Sequence, residues 1–84
     1  MSNSGLVIYG RQRCHLCEEM YEDLQPFLRG YSVPLEEVDV DTDERLRARF
    51  GLRVPVLVAD GEELCHGRLD VSAVTAWLQA LDSG

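Results

Sequence analysis

Long hydrophobic runs are missing from this 84-residue chain; no stretch approaches the roughly 20 apolar residues of a membrane span. The N-terminus, MSNSGLVIYG, has neither a basic start nor an apolar segment of signal length, so the sequence predicts a cytoplasmic protein with no membrane partner. Positive charge is scarce. Eight Lys plus Arg residues stand against 15 Asp plus Glu, and the resulting net charge of −7 repels phosphate backbones and argues against a nucleic-acid partner. Cysteine is scarce too: three is an odd number and too few for the disulfide scaffold of a secreted domain. In a reducing compartment a close pair of them points to catalysis or metal binding rather than to a structural bridge. What remains is ordinary globular material, 45% hydrophobic and 27% charged. A chain of this size buries roughly 60% of its unfolded surface and can fold unaided. Residues 1–84 are therefore expected to form a single domain, with an ordered core from about residue 5 to about residue 81.

Along the chain the pattern alternates. GLVIYG, residues 5–10, is a short continuous apolar run bounded by glycines, as in a buried strand. From His15 to about Arg29 apolar residues recur at Leu16, Met20, Leu24, Phe27 and Leu28, with Glu18, Glu19, Glu22 and Asp23 on the wet side of a helix that Gly30 ends. PLEEVDV, residues 34–40, reads as a second strand. DTDERLRARF then opens with Asp41 and places Glu44 three positions on, a carboxylate version of the capping box, with Asp43 also suited to the positive end of a short helix that Gly51 stops. VPVLVA, residues 54–59, is strand-like, Asp60-Gly61 signals a tight turn, and ELC begins a return strand, making a hairpin. Asp70 can cap a last helix whose apolar face is Val71, Val74, Trp77, Leu78 and Leu81. The order is β-α-β-α-β-β-α. Helical crossovers imply parallel pairing of the early strands, and the hairpin adds antiparallel ones.

The stretch YGRQRCHLCEEMYEDL, residues 9–24, sets two cysteines where the first strand gives way to the first helix. At a helix start, backbone N–H groups lack intrahelical acceptors and favour an anion. A thiolate on Cys14 is such an anion, and thiols so placed titrate at roughly 3.5 to 7.5 instead of about 8.5, becoming nucleophiles at neutral pH. Cys17, within the first turn, is close enough to resolve a mixed disulfide formed on Cys14. Arg11 and Arg13 just before the pair, and His15 when protonated, add positive charge that stabilises the same thiolate.

With these residues in view, CHLC after a strand, RVP at residues 53–55 before a hairpin, and HGRLD at residues 66–70 opening the last helix resemble the glutaredoxins. FGLRVPVL, residues 50–57, and the short length are most similar to a group of small bacterial glutaredoxin-like proteins. The resemblance spans about residues 5–81. It implies the thioredoxin-like α/β fold, a four-stranded mixed sheet flanked by three helices, and thiol–disulfide oxidoreductase activity on protein or glutathione mixed disulfides. It assigns the nucleophile to Cys14 and the resolving thiol to Cys17. It implies a cis bond before Pro55, which would face the cysteines and leave Val54 free to pair with an extended substrate. Arg11 falls where these proteins carry a basic residue, three positions before the nucleophile, and Arg53, Gly67 and Asp70 fall in their substrate-binding segments. The chain also departs from the family pattern. His15 and Leu16 replace the usual Pro-Tyr, Arg53 replaces a threonine, and Leu69 stands where one of two aspartates that hold the γ-glutamyl end of glutathione would be. Arg11, Arg53 and Arg68 could supply compensating cations in one groove. No bound cofactor is expected, glutathione enters as a co-substrate, and the partner is a disulfide-containing protein or a glutathione mixed disulfide met by a monomer.

Two other readings stay open at this level. Cys14, Cys17, Cys65 and His66 make four potential ligands for a metal or iron–sulfur cluster, although the adjacent second pair lacks zinc-ribbon spacing; no metal ligands are assigned. A thioredoxin-fold binding module with a vestigial CxxC would use the groove beside Pro55 without chemistry. Cys65 reads as a small buried hydrophobe, and Trp77 as core.

Overall fold

Leu6–Gly10 forms the first strand, β1, in the computed structural model, which describes residues 5–83. Leu6 and Ile8 point to the buried side, as the apolar run predicts. β1 pairs in parallel with β2 (Leu35–Asp39), Leu6 opposite Leu35, and antiparallel with β3 (Val56–Ala59), Leu6 opposite Ala59. β4 (Glu62–His66) returns antiparallel to β3, giving the order β2-β1-β3-β4. The helices are α1 (His15–Leu28), α2 (Glu44–Phe50) and α3 (Val71–Ser83). This is the expected thioredoxin-like arrangement of a four-stranded mixed sheet and three helices.

Every residue of β3 is buried, because helices cover both faces of the sheet at this strand. Successive side chains point to opposite faces. Leu57 and Ala59 join Leu6, Ile8, Met20, Leu24, Val74 and Leu78, the core beneath α1 and α3, with Trp77 packed at its edge. Val56 and Val58 join Val40 and Phe50 beneath α2. Tyr9 stacks on Phe50 at 4.4 Å between centroids, tying β1 to α2. Among the described residues, no helix is long and apolar enough to cross a membrane.

Local chemistry explains the element ends, with several corrections to the reading above. Asp43, not Asp41, caps α2: its Oδ1 accepts the N–H groups of Arg45 at 2.7 Å and Leu46 at 3.4 Å. Asp41 instead lies in a 3₁₀ turn, Val40–Thr42, which leaves β2 first and is capped by Asp39. The third strand starts at Val56 rather than Val54, after a cis Val54–Pro55 peptide. Leu16, placed on the apolar face of α1, is 40% exposed, because it lines a surface cleft with Phe27, Leu69 and Val71 rather than the core. Val71, placed on the apolar face of the last helix, is 47% exposed at the first position of α3, and Val40, read as the end of the second strand, begins the 3₁₀ turn instead. Elsewhere the signals hold. Asp60 and Gly61 adopt consecutive positive φ values of 49° and 87°, the backbone of a type I′ hairpin turn. Asp70 caps α3, its Oδ1 accepting the Ala73 N–H at 3.1 Å.

Candidate active site

β1 ends at Gly10, and Cys14 is the N-cap of α1, with φ −103° and ψ 105°. Its Sγ accepts the N–H of Cys17 at 3.1 Å, the position a serine or aspartate oxygen takes in an ordinary cap. The Cys14 carbonyl accepts the N–H of Glu18 and starts the helix. Cys14 and Cys17 are joined in a disulfide with their Cα atoms 5.2 Å apart. Reduction would leave the Cys14 sulfur at the same N–H, an arrangement that favours the thiolate over the thiol. Both residues are half-buried. They line a cleft of about 320 Å³ together with Arg11, Arg13, Glu18 and Glu37.

Gly10 makes this packing possible. A Cβ there would lie 2.8 Å from the Cys17 sulfur and 3.2 Å from its Cβ, so only a glycine lets the strand end pass under the resolving cysteine. Arg13, in the loop that follows, has φ 58°, a left-handed conformation that turns the chain into the cap.

The other residues singled out from the sequence are placed less uniformly. Arg11 lines the cleft but is committed elsewhere: Nε and Nη2 donate to the two Asp41 carboxylate oxygens at 3.2 and 3.1 Å, and Nη1 donates to the Gly51 carbonyl at 3.1 Å. It braces the cysteine loop against the start and end of the α2 segment. Arg53 donates to Glu63 at 2.6 Å and to the Arg49 carbonyl at 3.3 Å. Val54 packs against the Phe50 core, and Pro55 is buried. The Pro55 carbonyl accepts the Gly67 N–H at 2.7 Å, so these two, far apart in sequence, do meet. Asp70 serves as the α3 cap. His15 is 83% exposed and lies 3.4 Å from Glu19. Arg68 lines a second cleft of about 470 Å³ with Leu16, Phe27, Leu69 and Val71. The arginines therefore do not share one groove: Arg11 and Arg13 flank the disulfide, Arg68 lines the neighbouring cleft, and Arg53 lines neither.

Two features escaped the sequence reading. Gly10 carried a weak signal, a glycine at a strand end just before a CxxC. The Arg11–Asp41 pair spans 30 residues and had no local signal, since Asp41 competed as a helix cap. The proposed four metal ligands are dispersed. Cys14 and Cys17 are paired, Cys65 and His66 lie on β4, and among the described residues no three His, Cys, Asp or Glu side chains gather as a metal site.

Cys65 is half-buried opposite Leu57, and burial pushes its thiol up, partly countered by a hydrogen bond from the Asp70 backbone. It is a poor nucleophile near neutral pH. The Arg53 guanidinium holds the Glu63 carboxyl below its usual value, and His66 Nδ1, 3.2 Å away, acts in the same direction. A depressed carboxyl contributes stability that is present above the ordinary value of about 4.3 and is lost as pH falls through the depressed one. The pair is partly exposed, so its worth is at most about 1 kcal/mol. Glu63→Gln is accordingly expected to lower stability slightly at pH 7, with the gap to the parent protein closing below about pH 4 in urea titrations. A gap unchanged at low pH would contradict the pairing.

A family model described as a glutaredoxin-like domain matches residues 5–79. Protein Ne2328 from Nitrosomonas europaea is similar in structure, with 39% identity, a TM-score of 0.81, and coverage of 92% of this chain and 93% of that one. Protein XcR50 from X. campestris gives 37% identity, a TM-score of 0.71, and coverage of 89% and 96%. A thioredoxin variant from Halobacterium salinarum is similar in fold, with 24% identity, a TM-score of 0.62, and coverage of 94% and 74%. No curated protein matches the sequence.

Proposed function

Because the chain belongs to the glutaredoxin-like domain family, we propose that it is a thiol–disulfide oxidoreductase whose Cys14–Cys17 pair reduces protein or glutathione mixed disulfides. The observation that carries this reading is the Cys14 sulfur at the cap of α1, bonded to Cys17 beside an open cleft. In the reduced protein the Cys14 thiolate attacks one sulfur of a substrate disulfide, and the other substrate sulfur leaves as a thiolate and is protonated by water. Cys17 then loses its proton and attacks the Cys14 sulfur. The second substrate sulfur departs as a thiolate and takes up, through solvent, the proton that Cys17 lost, and the protein is left as the disulfide seen here. Two electrons and two protons have passed to the substrate. The two sulfurs carry the electrons, so the reaction needs no resident cofactor. The protein acts as a monomer in the cytoplasm. Pro55, fixed to Gly67, and Val54 form a backbone ledge for an extended substrate, and Arg13 and His15 tune the thiolate. Arg11 acts chiefly as the brace of the cysteine loop, and Asp70 through the cap of α3.

Equilibration in glutathione redox buffers, followed by mass-tagged alkylation, tests this. A two-electron transition confined to Cys14 and Cys17 below about −200 mV, with Cys65 alkylated slowly throughout, is the expected result. If the pair shows no reversible transition, or if Cys65 exchanges with it, the proposal fails.

A further inference from the structure

We infer that the cleft beside Cys14 and Cys17 selects disulfides carried on cationic, Lys- or Arg-bearing protein segments and disfavours the anionic tripeptide glutathione, a choice that rests on the oxidoreductase reading above. Two of the three cations expected to receive substrate carboxylates are already engaged. Arg11 is held by Asp41 and the Gly51 carbonyl, and Arg53 by Glu63 and the Arg49 carbonyl. Arg13 is left beside the sulfurs, and it faces Glu18, Glu37 and Asp39 in the same cleft. Among the described residues neither Glu18 nor Glu37 is ion-paired, and Asp39 accepts only the Asp41 backbone N–H with its carboxylate.

The neighbouring cleft repeats this balance. Leu16, between the two cysteines, opens onto it, and Glu19 and Asp23 there oppose Arg68, with His15 3.4 Å from Glu19 outside the cleft lining. Carboxylates therefore exceed free cations on both sides of the disulfide, inside a chain of net charge −7. Glutathione carries two carboxylates and one ammonium, so it meets repulsion at the cleft and at long range. A Lys- or Arg-bearing segment meets attraction at both. The apolar walls of the second cleft, Leu16, Phe27, Leu69 and Val71, offer contact area to side chains flanking such a disulfide. The exchange step is the one written above, with the partner segment as the disulfide and its two thiols as products.

The test uses pre-reduced protein in single turnover against three substrates: glutathione disulfide and two disulfide-bridged peptides that differ only in Lys or Glu at the flanking positions. Each rate is divided by that of dithiothreitol, an uncharged dithiol, on the same substrate, which removes the intrinsic effect of the flanks on the disulfide. At roughly 20 mM salt the Lys peptide should react about tenfold faster than the Glu peptide and glutathione disulfide, with the ratio contracting toward one near about 0.5 M salt. Glu37→Lys, an exposed change on β2, should cut the ratio several-fold. Equal normalised rates at low salt, or preference for glutathione disulfide, overturn the charge selection and leave the oxidoreductase reading intact. Failure to reduce any of the three faster than the Cys14→Ser protein overturns both.

Discussion

Replacing Cys14 with serine is expected to lower disulfide exchange by about 10³-fold or more while leaving the reduced protein folded. The reason is chemical rather than structural. Serine is among the best N-cap residues, so its oxygen can take over the bond from the Cys17 N–H that the sulfur now accepts at 3.1 Å. A hydroxyl, however, does not ionise near neutral pH, and the helix start cannot lower its pKa far enough to make it a nucleophile. Cys17→Ser should behave differently. The first attack needs only Cys14, so the mixed disulfide forms and then accumulates, visible as a substrate adduct by intact mass. Comparison belongs to reduced forms, since both changes remove the Cys14–Cys17 bond. Two results would refute the division of roles: a Cys14→Ser protein keeping a tenth or so of the parent rate, or adducts accumulating on Cys17 in place of Cys14.

The second large effect is on stability. Leu57 lies in the middle of β3 with no exposure, packed among Ile8, Met20, Leu24 and Val74, and opposite Ile8 on one side and Cys65 on the other. Truncation to alanine removes buried methyl groups and leaves a cavity walled by two helices and the sheet, which cannot close around it. Leu57→Ala should cost about 2–5 kcal/mol. For a domain of this size each kcal/mol shifts Tm by about 4–8 °C, so a fall of at least about 8 °C by circular dichroism is expected. Glu36→Ala, an exposed change on β2, should stay within about 0.5 kcal/mol and serves as the control. A loss below about 1 kcal/mol at Leu57 would mean that the site collapses around the truncation, contrary to the packing described.

Much of the architecture could be read directly from residue order. The glycine-bounded run at residues 5–10, the helical spacing of Met20 and Leu24, the Asp60-Gly61 turn and the Asp70 cap each act within a few residues, and each produced the element it signalled. The sulfur pair was legible for the same reason: CxxC at a strand-to-helix junction places Cys14 at the cap by local geometry alone. Errors appeared where two local solutions were close in energy. Asp41 and Asp43 could both cap a helix. The 3₁₀ turn that follows β2 decided for Asp43 and released Asp41 to pair with Arg11.

The sequence by itself determined the element order and the dithiol, because hydrophobic period, turn chemistry and capping are short-range, while the thioredoxin-like class came from the resemblance of its motifs to the glutaredoxins. Only the tertiary structure decided what surrounds the sulfurs. It placed Gly10 under Cys17, split the arginines between separate clefts, and paired Arg11 with Asp41 and Arg53 with Glu63. A charge in the sequence is only a charge. Whether it greets a substrate or is answered by its own chain depends on contacts across 10 to 40 residues, which form when β1, the α2 segment and the β3–β4 hairpin pack together and which no local pattern encodes.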